Sequence, residues 1–85
     1  MTNAMDGADN TPDQEIGSRI TNALITKSTN IKALSEETGI SYPTLRRSLT
    51  GGRSLTIREL ASIASALNIQ PSALLPDALV ARNAA

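Results

Sequence analysis

Tyr42 is the only aromatic side chain in the chain, and no cysteine is present to supply a disulfide. The core must therefore be aliphatic, built from Leu, Ile and Ala, and a sparse core of this kind suits short packed helices. At 85 residues the chain amounts to one small domain, able to bury roughly 60% of its unfolded surface. No segment alternates apolar and polar residues with period two, so no strand is expected. Histidine is absent as well as cysteine, which removes imidazole acid–base catalysis, thiolate chemistry and the usual zinc ligands. No catalytic residue, metal or cofactor is expected. Glu36 and Glu37 lack a partner constellation and read as the solvated face of a helix.

Helix start and stop signals divide the chain. Residues 1–10, "MTNAMDGADN", are small, polar and acidic, and read as a disordered tail with too little apolar surface to offset ordering entropy. Thr11, Pro12 and Gln14 then form a capping box with proline at the first helical position. Ile16, Ile20, Ala23 and Leu24 recur at helical spacing before the polar stretch "TKSTN". Thr29 or Asn30 caps a second, short helix carrying Ile31 and Leu34, which Gly39 closes. Ser41 caps a third and places Pro43 in its first turn, where the missing N–H costs nothing. Leu45 and Leu49 share the inner face of that helix, and Gly51 and Gly52 stop it. Thr56–Glu59 is a second capping box, opening a helix with Ile57, Leu60, Ala61, Ala64 and Leu67 as its predicted apolar stripe and Asn68 as its C-terminal cap. Pro71 and Ser72 begin a last turn whose Leu74 and Leu75 close the core before Pro76. The expected architecture is all-α, a compact domain of four helices and a last turn over residues 11–76 with a short tail at 77–85.

The formal charge is zero, but its distribution is uneven. Residues 1–15 hold four acids and no base, whereas between Glu37 and Glu59 the only charges are Arg46, Arg47, Arg53 and Arg58. The basic segment coincides with the third helix. Small Ser35 lies four residues before Gly39, and Ile40 and Leu45 follow it. This spacing predicts a helix-turn-helix, in which the small residue allows close approach, glycine makes the corner, and the two apolar residues fill the angle. With each residue advancing about 100°, inward Leu45 and Leu49 turn Arg47 outward, flanked by Thr44 and Arg46, with Tyr42 at the leading end. Arginine there can bond guanine O6 and N7. Tyr42 can alternatively cover the rim of the core.

The segment "LSEETGISYPTLRRSLTGGRSLTIRELASIASALNIQPSALL", residues 34–75, resembles the lambda-repressor-like (Cro/repressor, XRE) helix-turn-helix family. That resemblance implies a five-helix DNA-binding domain that docks its third helix in the major groove and binds a pseudo-palindromic operator of double-stranded DNA as a homodimer. It places Tyr42, Pro43, Thr44 and Arg47 at base-contacting positions, and Ser41, Arg46 and Arg53 at phosphate-contacting ones. Ile31 stands where the family often has a phosphate-gripping glutamine, which passes that contact to Lys32 or Asn30. Ser48 replaces a commonly apolar residue and Leu49 a common glutamate, so the end of the third helix is expected to pack in its own way.

The function read from these residues is sequence-specific DNA binding by a small phage or bacterial repressor of the Cro type. The alternative is an antitoxin- or adaptor-like protein-interaction module on the same fold, favoured by the low net charge. No small-molecule ligand is expected. No run approaches the ~20 apolar residues of a membrane span, and a signal peptide is not recognisable, so the expected location is the bacterial cytoplasm and nucleoid.

Overall fold

The computed structural model describes residues 11–76. Four α-helices, α1 (Pro12–Thr26), α2 (Ile31–Thr38), α3 (Tyr42–Leu49) and α4 (Ile57–Leu67), are followed by a 3-10 turn at Pro71–Leu74, and there is no strand among the described residues. The fifth helix that the family resemblance implies is that single turn. The acidic segment 1–10 and the tail 77–85 lie outside the described residues.

The caps form as the sequence dictates. Thr11 Oγ1 accepts the Gln14 N–H at 3.1 Å while Gln14 Oε1 accepts the Thr11 N–H at 3.2 Å, and Thr56 and Glu59 repeat the exchange at 3.0 Å each way. Asn30, not Thr29, caps α2, its Oδ1 accepting the Ala33 N–H at 2.8 Å. Gly39 and Asn68 close α2 and α4 in the left-handed region, at φ 81° and 58°. The end of α1 was not foreseen: Ser28 also takes a left-handed φ of 55°, and the Thr29 N–H returns to the Leu24 carbonyl at 2.9 Å. Serine here holds a place that glycine commonly fills.

Ile20 and Leu24 of α1, Leu34 of α2, Leu45 and Leu49 of α3, Leu60, Ile63, Ala64 and Leu67 of α4, and Leu74 make one aliphatic core. The stripe expected on α4 needs correction. Ile57 is 82% exposed and Ala61 is exposed, whereas Ile63 is completely buried. On a 100° step Ile57 and Ala61 both fall on the side of Leu60 away from Ile63, and the neighbouring elements cover the Ile63 side.

α3 packs chiefly against α1 and α2, and α4 against α2 and the 3-10 turn. The start of α1 is fastened to the loop between α3 and α4, where Ser54 Oγ donates to Asp13 Oδ2 at 2.6 Å and the Gln14 side chain lies against Gly51. Further along α1, Gly17 meets the Leu49 carbonyl so closely that no Cβ would fit between them.

Candidate nucleic-acid interface

The corner between α2 and α3 is fixed by local polar bonds as well as by packing. Gly39 N–H donates to the Ser35 carbonyl at 2.9 Å, Ser35 Oγ donates across the turn to the Ile40 carbonyl at 2.6 Å, and Thr38 Oγ1 accepts the Ile40 N–H at 3.2 Å. Ser35 is thus more than a small residue permitting approach. Ile40 is half-buried against the core and Leu45 is fully buried, so α3 leaves the corner in one direction.

One face of α3 is interior and the other is open. Leu45, Ser48 and Leu49 are buried, while Tyr42, Pro43, Arg46 and Arg47 are exposed and Thr44 is half-buried. Arg46 and Arg47 have no carboxylate partner among the described residues. Their place in the last helical turn also lets them complement the negative end of the helix dipole. Pro43 sits in the first turn behind the Ser41 cap, whose Oγ accepts the Thr44 N–H at 3.4 Å and donates to Thr44 Oγ1 at 2.8 Å. The Thr44 hydroxyl proton stays available for an acceptor outside. Tyr42 is 42% exposed and lines a notch with Leu24, Ile25, Ile31 and Lys32, combining the rim role with an open edge. Asn30 spends Oδ1 on its cap and keeps its amide nitrogen as a donor beside exposed Lys32.

Arg53 is placed differently from these. Its guanidinium forks onto Glu59, Nη1 donating to Oε1 at 3.1 Å and Nη2 to Oε2 at 2.9 Å, and Nη1 also donates to Ser48 Oγ at 2.9 Å. The arginine expected on phosphate is engaged within the protein. The Glu59 carboxyl is held below the usual carboxylate range, first by the hydrogen bond from Arg53 and then by the Thr56 N–H. Because folding lowers this pKa, the stability it contributes is present above the unfolded value near 4.3 and is lost as pH falls through the folded one. Thermal melts from pH 6 to pH 3 should therefore fall more steeply for the native chain than for Glu59→Gln, and parallel curves would contradict this assignment.

Among the described residues no His, Cys, Asp and Glu cluster could hold a metal, and no helix is long and apolar enough to cross a membrane. Comparison with protein families matches residues 19–76 to the Cro/C1-type helix-turn-helix DNA-binding domain. The chain belongs to that family. A solved structure with the Cro/C1-type architecture of this chain is the restriction-modification controller protein C.AhdI from Aeromonas hydrophila, with a TM-score of 0.70 at 21% identity, covering 73% of this chain and 94% of the other. No curated protein matches the chain. As a Cro/C1-type domain the protein binds DNA through its helix-turn-helix, which in this chain is α2, the Gly39 corner and α3.

Proposed function

We propose that this Cro/C1-type domain is a small transcriptional repressor that occupies an operator by laying the open face of α3 in the major groove. The observation that carries the reading is the adjacent Arg46 and Arg47, solvent-facing and without a carboxylate partner among the described residues, on a helix whose opposite face is locked into the core. In this reading Tyr42, Pro43, Thr44 and Arg47 meet base edges, since the leading turns of a recognition helix enter the groove. Ser41, Arg46, Lys32 and Asn30 grip phosphates, Lys32 and Asn30 from the start of α2, where backbone N–H groups and the helix dipole favour anions. That the fold neighbour C.AhdI is a controller protein supports a regulatory role. Two copies with recognition helices about 34 Å apart would span one turn of DNA and read a pseudo-palindrome.

Selection of a duplex from a random-sequence pool, followed by titration at several salt concentrations, tests the proposal. Affinity should fall steeply with salt because phosphate contacts release counterions. Arg47→Ala should weaken the selected duplex by about 1 to 3 kcal/mol and relax preference at one position. A chain that enriches no duplex refutes the reading, and an Arg47→Ala variant with undiminished affinity refutes the placement of that residue.

A further inference from the structure

Ser48 is the only buried polar side chain among the described residues, 1% exposed in the last turn of α3. Its hydroxyl is met by Arg53, whose fork continues to Glu59 in the first turn of α4, and Glu59 Oε1 in turn accepts the Thr56 N–H at 3.0 Å. The link therefore runs from the recognition helix, through the loop, to the cap of the next helix. It joins two helices that each pack chiefly against other partners. α3 is only 8 residues long, too short to be stable alone, and the loop after it contains Gly51 and Gly52. Leu45 and Leu49 hold its inner face, and the Arg53–Ser48 bond adds a directional restraint at its end, with Arg53 itself held by its charged fork on Glu59. Reading bases requires side chains held within about 0.5 Å and 10–20° of the productive geometry.

We propose that Ser48, Arg53 and Glu59 form a strut that sets the pitch of α3, so that Arg53 is a positioning residue for sequence recognition and does not contact phosphate. The inference rests on the DNA-binding reading above and deepens it. It assigns a purpose to Ser48, the polar residue at a position where an apolar one would simply pack.

The two roles for Arg53 predict opposite signs. If Arg53 gripped phosphate, Glu59→Gln would remove a competing anion beside the DNA, release the guanidinium and tighten binding. If the three residues are a strut, Glu59→Gln loosens α3 and weakens binding to the selected duplex on the order of tenfold, the equivalent of one charge-assisted hydrogen bond. Binding to a random duplex, which needs charge but not pitch, stays unchanged. Arg53→Lys keeps the charge and loses the fork, so it should show the same loss, with the slope of log affinity against log salt preserved. A phosphate contact would instead survive in the lysine variant. Ser48→Ala cuts the one bond by which the strut reaches α3 without altering volume much, and should give a loss of the same kind and of similar size.

Partial unfolding would lower affinity for selected and random duplexes alike, so their ratio separates loss of pitch from loss of fold. Amide hydrogen exchange of residues 48–55 without DNA gives a second measure, faster in all three variants. Tighter or unchanged binding by Glu59→Gln, full affinity in Arg53→Lys, or an equal decline on both duplexes would each overturn the strut. Failure of the unaltered chain to select any duplex would instead defeat the DNA-binding reading on which it rests.

Discussion

Leu45→Ala is expected to cost about 3 kcal/mol and to lower the melting temperature by roughly 12–24 °C. Leu45 is completely buried, at the point where α3 seats against the core elements supplied by α1 and α2. Removing its isobutyl group gives up the transfer free energy and leaves a void in the aliphatic core that the packed helices close only in part. A domain this short has a total stability of about 3 to 10 kcal/mol, so toward the lower end of that range up to about half of the population would be unfolded. Apparent DNA affinity would fall by the fraction unfolded, for selected and random duplexes alike, in contrast to the strut variants. Thermal unfolding followed by circular dichroism measures the loss. A midpoint within a few degrees of the parent would mean that α3 is not seated by this side chain.

Much of this arrangement was legible in the sequence because its signals are local. The capping boxes at Thr11 and Thr56 need only residues three apart, and the outward direction of Arg47 follows from the helical step once Leu45 and Leu49 are taken as inward. What escaped depends on how elements meet. Arg53 and Glu59 are six residues apart, a spacing that no helix brings together, so only the curvature of the loop pairs them. From the sequence Arg53 therefore looked like another cation beside the recognition helix. A periodic stripe gives the apolar side of α4 only to within a residue or so, which is why Ile57 stood in for Ile63. Ser28 gave no sign that it would adopt the left-handed backbone, since serine, unlike glycine or asparagine, does not mark such a position. The base- and phosphate-contacting assignments carry over from family position, and the backbone places all of them but Arg53 on open surface or at the starts of α2 and α3.

Gly17 is the residue whose importance the sequence concealed most, and Gly17→Ala is the substitution whose sign is most informative. In an exposed helix interior that change stabilises by about 1 kcal/mol, because alanine loses less backbone entropy on folding. Here the added methyl would lie 2.8 Å from the Leu49 carbonyl carbon and closer still to its oxygen. The obstruction is backbone, so no rotamer change relieves it, and α1 must move away from the end of α3. Overpacking of this kind costs about 1 to 3 kcal/mol and sometimes more. A rigid backbone contact belongs at the upper end, so alanine should be net destabilising by roughly 2 kcal/mol. Gly17→Val, bulkier and without alanine's helical advantage, should lose about 3 kcal/mol. The displacement also pulls on the Leu49 end of α3, adjacent to Ser48 and hence to the strut, so Gly17→Ala should lose preference for the selected duplex even where it remains folded. Urea melts of the two variants decide the matter: a rise in stability for Gly17→Ala would show that α1 and α3 stand further apart than this close contact requires, and that the end of the recognition helix is free to adjust.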